Sequence, residues 1–202
     1  MPIFVCIICQ SGDNSSRILL INSRCTRLAY REENPKVVSV LNMLIRHEHP
    51  KEARVMYKRI LLPLDGSPLA EQALPHAIAV GERFQSELVL LRVLTPLPRP
   101  PETAEKALQR AEKATIVVVR EYLERVAASV QEHGITVQMI TVEGRPHLQI
   151  IRYAETNQVD LIVMCTRGQS GLSRWMMGSV TDRVVRGAGV PVLLVRAQKK
   201  ET

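Results

Sequence analysis

Residues 160–196 read "DLIVMCTRGQSGLSRWMMGSVTDRVVRGAGVPVLLVR", and this stretch decides the fold. Two short apolar blocks, 160–164 and 190–196, stand on either side of a glycine-bearing loop and a helix-like segment. Short runs of Val, Leu and Ile are typical of strands that are buried on both faces of a parallel sheet. The stretch therefore predicts a strand, a loop, a helix and a second strand in that order.

The same alternation of apolar blocks and amphipathic stretches begins at Tyr57. It predicts three earlier strands, at 58–64, 87–94 and 135–143. It also predicts four helices, at 68–84, 102–132, 146–157 and 180–186. Together these elements predict an α/β fold, a doubly wound five-stranded parallel sheet of Rossmann-like type with strand order 3-2-1-4-5 and helices on both faces. Ligands of such sheets bind beyond the carboxyl ends of the strands, where the winding reverses.

Residues 1–56 lack this alternation, and we expect them to form an N-terminal extension to a main domain at 57–198. Three interpretations of the extension stay open. Lys51-Glu52 can be encoded by AAG GAG, which reads as a ribosome-binding sequence, so Met56 is a candidate for the true start. The alternatives are a small segment that packs on the main domain and a disordered tail.

The composition excludes several classes of function. The net charge is +7, but the basic residues form no runs and only 3% of residues are aromatic, so we expect no nucleic-acid partner. No apolar run is long enough to cross a bilayer, so we expect no membrane insertion. Only one of the 4 cysteines, Cys165, lies beyond the first third of the chain, which favours a reducing, cytoplasmic location over a disulfide framework.

The loop after the fourth strand has the features of an anion site. Gly168 and Gly171 allow the backbone to approach a ligand closely. Ser179, with Asp182 three positions on, resembles a capping box at the start of the next helix. Free N–H groups at a helix start bind anions, and the hydroxyls of Ser179 and Thr181 can add hydrogen bonds. An ordinary loop with a well-capped helix explains the same residues, and no P-loop or GxGxxG pattern decides between the two.

From "YKRILLPLDGS" (57–67) to "VPVLLVR" (190–196) the chain resembles the universal stress protein family. "LPLDGS", "DLIVM", the glycine loop, "GSVTDRVV" and "PVLLVR" occur in the family's order. The nucleotide-binding branch of the family carries glycine, two residues, glycine, nine residues, glycine, then Ser or Thr. Gly168, Gly178 and Ser179 match this pattern, whereas its first glycine falls on Cys165.

The resemblance implies that the chain binds ATP or another adenine nucleotide. It implies that Asp65 and the backbone near Pro63, Leu64 and Val93 hold the adenosine. The turn under the phosphates would be lined by Met164, Cys165, Arg167 and Gly168, and the phosphate chain would be capped by Gly178, Ser179, Val180 and Thr181. Family members often bind Mg²⁺ or Mn²⁺ with the nucleotide and dimerise through the last strand, so a homodimer is expected.

The expected function is therefore that of a nucleotide-binding regulatory protein of the stress response. Two alternatives stay open, a dimeric scaffold that binds no nucleotide and a weak ATP hydrolase. No residue pattern indicates a catalytic centre. The spacing of Cys6 and Cys9, with His47 and His49, suits zinc, but one short cysteine pair is not specific, so we expect no protein-borne metal site. A side chain at Cys165 could crowd a phosphate or require a positive φ, so the expectation is weakened rather than abolished binding.

Overall fold

The structure, a computed structural model, describes residues 4–10, 16–22, 57–96, 105–166 and 177–196. Their strands form one seven-stranded sheet. The bounds of the strands, in chain order, are β1 Phe4–Gln10, β2 Ser16–Asn22, β3 Arg59–Pro63, β4 Glu87–Leu94, β5 Val137–Glu143, β6 Leu161–Cys165 and β7 Val192–Val195.

The five strands predicted from residue 57 onward are present and lie in the order β7-β6-β3-β4-β5. Each of them pairs in parallel with its neighbour. The predicted doubly wound sheet of order 3-2-1-4-5 is therefore confirmed. The winding reverses between β3 and β6, which are adjacent in the sheet but far apart in the chain.

Two further strands from the N-terminal extension lengthen this sheet beyond β7. β1 pairs in parallel with β7, and β2 pairs with β1 antiparallel. No strand was predicted in residues 1–56, because apolar blocks and amphipathic stretches do not alternate regularly there.

Five helices connect the strands in the described parts of the chain, namely α1 Pro68–Glu71, α2 Leu74–Phe84, α3 Glu105–Gln131, α4 Pro146–Thr156 and α5 Ser179–Gly187. The prediction of one continuous helix over 68–84 was wrong, because the structure has two. Pro75 lies in the first turn of α2. Its ring has no N–H and clashes with the carbonyl four residues earlier, which ends α1 and starts a new helix.

The core consists of two layers of apolar side chains, one on each face of the sheet. One layer joins strand residues such as Leu62 to α1, α2 and α3, through side chains such as Ala77 and Leu123. The other joins residues such as Ile162 to α4 and α5. Fully burying each Leu or Ile contributes about 1.5–3 kcal/mol, so the two layers together dominate the stability of the fold. No helix within the described residues is both long enough and apolar enough to span a membrane.

Candidate functional site

The carboxyl ends of β3 and β6 meet at one edge of the sheet. Ile60 is in register with Leu161, and Leu61 with Ile162. The chain leaves β3 through the turn at residues 64–67 and leaves β6 toward α5, so two strand-to-helix connections flank the point where the winding reverses. This is the place at which an open α/β sheet binds its ligands.

The turn after β3 is fixed by its own side chains. The Asp65 Oδ1 atom accepts hydrogen bonds from the Ser67 backbone N–H at 2.9 Å and from the Ser67 hydroxyl at 2.6 Å. The Ser67 Oγ in turn accepts from the N–H of Ala70 at 3.2 Å, so Ser67 is the N-cap of α1. Gly66 adopts φ +82°, a left-handed conformation that favours glycine. The Asp65 carboxylate is consequently held in one position at the sheet edge.

An arginine lies beneath this turn. Nη1 of Arg92 donates to the carbonyl oxygen of Leu64 at 3.3 Å. A Cβ atom added to Gly66 would stand 3.7 Å from the same Nη1, so the guanidinium packs against the turn. The Leu64 N–H donates to Leu91 O at 2.9 Å. Both backbone polar groups of Leu64 are therefore already used within the protein.

The start of α5 differs from the predicted capping box. The N-cap is Gly178 rather than Ser179, and no side chain of the described part of the chain forms a capping hydrogen bond there. The Gly178 N–H donates to Thr166 O at 2.8 Å, which ties the helix start to the end of β6. The first N–H groups of a helix have no acceptor within the helix, and they carry its positive dipole end. Among the described residues no side chain caps this helix start, and Ser179 is exposed there.

Thr181 plays a structural part that the sequence did not reveal. Its side chain is buried, with 3% of its surface exposed, and its hydroxyl donates to the carbonyl oxygen of Cys165 at 3.0 Å. A hydroxyl has a single proton to donate. Thr181 therefore joins α5 to β6, and only its backbone N–H belongs to the anion-binding end of the helix.

A carboxylate near the same helix end is neutralised. Asp182 lies in the first turn of α5, where its charge would oppose an incoming anion. Nε of Arg186 donates to both of its carboxylate oxygens, at 3.0 and 3.1 Å. The pair is half-exposed, so its own contribution to stability is small, but it reduces the local negative charge.

Cys165 lies within the core. It is 5% exposed and packs with the apolar layer that contains Leu62 and Ala73. Burial raises the pKa of its thiol to about 12. The non-glycine residues with positive φ in the described parts of the chain are Gln85 and Gln158, so Cys165 carries no such strain. Neither a positive φ nor a side chain projecting from the sheet edge is observed at this position.

The predicted site residues thus fall into two groups. The residues of the first group are partly or fully exposed at the carboxyl edge, and they are Pro63, Asp65, Val93, Gly178, Ser179 and Val180. Leu64, Met164, Cys165 and Thr181 are buried and present only backbone atoms to that edge. Arg167 and Gly168 lie outside the described residues.

Two residues near the site were missed by the sequence reasoning. Nε of Arg92 is buried without a hydrogen-bond partner in the described part of the chain, and the hydroxyl of Tyr122, on α3, is buried near Glu71. Burial and then the negative charge of Glu71 raise the pKa of Tyr122 above its ordinary value. Arg92 could have been found from the sequence, because it is a charged residue inside the apolar run "LLRVL" (90–94). No sequence pattern distinguishes Tyr122 from the rest of its helix.

Comparison with known proteins confirms the resemblance seen in the sequence. The model of the universal stress protein family matches residues 56–196. Universal stress protein MJ0531 of Methanocaldococcus jannaschii is 34% identical over 162 residues, which are 80% of this chain and 92% of that protein.

Solved structures share the fold. The structure of MJ0577, from the same organism, has a TM-score of 0.62 and 32% identity and covers 72% of this chain and 99% of its own. A universal stress protein in complex with cAMP has a TM-score of 0.52 at 21% identity, over 69% of this chain and 96% of its own. One from Archaeoglobus fulgidus in complex with dAMP has a TM-score of 0.52 at 18% identity, over 68% and 98%.

Proposed function

Because this chain belongs to the universal stress protein family, we propose that it is a regulatory protein that binds ATP or a related adenine nucleotide at the carboxyl edge of its sheet. Members of the same fold family have been solved with cAMP and with dAMP, which supports an adenine nucleotide as the ligand. In this proposal the two strand-to-helix connections bind different parts of the nucleotide.

The observation that carries the proposal is the glycine-capped start of α5. Within the described residues no side chain caps this helix, although α1 at the same edge is capped by Ser67. Anions bind well at such ends, because the N–H groups and the helix dipole both favour negative charge. The phosphates therefore bind at the N–H groups of Ser179, Val180 and Thr181. Gly168 and Arg167 complete the phosphate end in this proposal.

The adenosine end belongs to the turn after β3. A carboxylate accepts hydrogen bonds from ribose hydroxyls, and Asp65 is held in place for this role by Ser67. Pro63 and Val93 are half-buried at the ends of β3 and β4, where a flat base can cover their apolar surface. The buried side chains of Met164 and Cys165 leave the floor of the site to their backbone.

The remaining parts of the proposal concern metal, location and assembly. Mg²⁺ or Mn²⁺ accompanies the nucleotide through its phosphates rather than through a protein-borne site. The distribution of cysteines along the chain favours the cytoplasm. A homodimer through the last strand is expected from the family, but in this structure β1 already pairs with the outer edge of β7.

Titration of the purified full chain with ATP and Mg²⁺ tests the proposal, with adenosine and GTP as matched controls. We expect saturable one-to-one binding of ATP, weaker binding of adenosine because the phosphate contacts are lost, and adenine nucleotide released on denaturation of the purified protein. An absence of ATP binding would favour the dimeric scaffold. Steady turnover of ATP to ADP would favour the hydrolase.

A further inference from the structure

We infer that the N-terminal hairpin, β1 with β2, caps the outer edge of β7 and so prevents a second copy of the chain from pairing there. The backbone register carries this inference. β1 spans all of β7, because each residue of β7 has a partner in β1. The pairs run in order from Val5 opposite Val192 to Ile8 opposite Val195. The inference is independent of nucleotide binding.

A strand has only two edges for backbone pairing. β6 occupies one edge of β7, with Ile162 opposite Val192 and Cys165 opposite Val195. β1 occupies the other edge. Docking of the hairpin and pairing with a second copy at β7 are therefore mutually exclusive.

Without the hairpin, β7 would be an exposed edge that invites association. Its four residues are all Val or Leu, and each is at least nine-tenths buried. Neither a charged residue nor a proline interrupts them. Proteins commonly protect such edges with charges, prolines or a covering segment, because an open apolar edge pairs with other chains.

The hairpin lies outside the part of the chain that the family model matches. The family match covers residues 56–196, and MJ0577 is matched over 96% of its length by 70% of this chain. The cap is thus an addition to the common domain. Because the hairpin pairs with β7, it controls whether two copies of this domain can pair through that strand.

A cysteine cross-link tests the pairing in the full chain. Cys6 lies opposite Leu193, and neighbouring strands are about 4.8 Å apart, within the Cα separation of disulfides. We expect Leu193→Cys to form a disulfide with Cys6 within one chain under mild oxidation. The matched control is Val192→Cys, which lies opposite Val5 and should form none. Equal yields in the two variants, or a product that links two chains, would overturn the inference.

The effect on association is measured by sedimentation of the wild type and of the double variant Cys6→Pro/Ile7→Pro. Successive N–H groups of a strand point to opposite edges, so two adjacent prolines remove at least one bond to β7. We expect the wild type to sediment as one chain of 22.7 kDa and the variant to sediment at twice that mass. At dilutions where the variant is monomeric, we expect the amides of its 191–196 peptide to exchange hydrogen faster than those of the wild type. Equal masses for the two proteins would overturn the inference. So would a native protein whose intact mass begins at Met56, because it would lack the hairpin.

Discussion

The two strand-to-helix connections at the carboxyl edge differ in how the helix that follows them is capped. After β3, the hydroxyl of Ser67 caps α1 and the carboxylate of Asp65 braces the cap. After β6, the N-cap of α5 is Gly178, which has no side chain to accept from the first N–H groups of the helix. In the first connection a side chain caps the helix start, whereas in the second we propose that the phosphates of a nucleotide bind there.

Under the proposed function, the connection after β3 has a mainly structural role at its helix start and the connection after β6 binds the ligand. A side-chain cap stabilises a helix by about 0.5–2 kcal/mol, and a glycine cap is only a few tenths less favourable than a polar one. A helix start without a side-chain cap therefore costs the fold little free energy, and its N–H groups can bind an anion. Substitutions can add a side-chain cap to α5 or remove the one on α1. The resulting change in ATP affinity tests whether the phosphates bind at the start of α5.

The largest effect is expected from Gly178→Asp, which gives α5 the kind of cap that α1 has. The carboxylate would accept the first N–H groups and place a negative charge where the phosphates bind. We expect ATP affinity to fall about 100-fold, or about 2.8 kcal/mol, while the free energy of unfolding rises by about a few tenths of a kcal/mol. Calorimetric titration and urea unfolding measure the two quantities.

The matched control for this change is Gly189→Ala, just beyond the other end of α5. A Cβ atom there meets nothing within 4 Å, so ATP affinity should not change. An unaltered affinity in Gly178→Asp itself would refute the assignment of the phosphates to this helix start.

A smaller effect is expected from Asp65→Ala. This change removes the acceptor for the ribose hydroxyls and also both hydrogen bonds from Ser67. We expect about tenfold weaker ATP binding, or about 1.4 kcal/mol, and a lower melting temperature. Affinity measured at a temperature well below unfolding keeps the two effects apart; wild-type affinity there would exclude Asp65 from the site.

Ser67→Ala should alter stability more than binding. The loss of the N-cap is expected to lower the free energy of unfolding by about 1 kcal/mol, because the Ala70 N–H loses its acceptor. ATP affinity should stay within about threefold of the wild type, or about 0.7 kcal/mol. Urea unfolding combined with titration checks both values, and a large loss of affinity at unchanged stability would contradict the structural role.

The smallest effect on affinity is expected from Cys165→Gly. The thiol packs in the core rather than in the phosphate site, so its removal should leave ATP affinity within about twofold while reducing stability. The raised pKa, about 12, keeps the thiol protonated at pH 8.5. Iodoacetamide should therefore label Cys165 only after unfolding, as peptide mapping would show, since only the thiolate is reactive. Rapid labelling of the folded chain, or a large gain in affinity in the glycine variant, would place the thiol at the site.

The sequence predicted the five parallel strands from residue 57 onward because blocks of Val, Leu and Ile alternate there with amphipathic stretches. It also predicted the start of α1, because Ser67-Pro68 is a strong local signal. It missed the break within 68–84, where the tertiary path uses Pro75 to begin a second helix. It assigned a cap to Ser179 that belongs to Gly178, because helix boundaries cannot be placed to one residue from local patterns.

Other parts of the site depended on contacts between distant elements. The direction of the Cys165 side chain follows from which face of β6 it occupies, and a strand that is buried on both faces shows no alternation in its sequence. The hydrogen bond from Thr181 to Cys165 and the position of Arg92 under the Leu64 carbonyl join residues that are 16 and 28 positions apart. Such contacts require the folded sheet.

The most direct test is amide NMR of the ¹⁵N-labelled full chain titrated with ATP and, separately, with adenosine. If the phosphates lie against the start of α5, the N–H signals of Ser179 and Val180 will shift strongly with ATP and only slightly with adenosine. ATP that binds without moving these signals would contradict the account, because the nucleotide would then be held elsewhere.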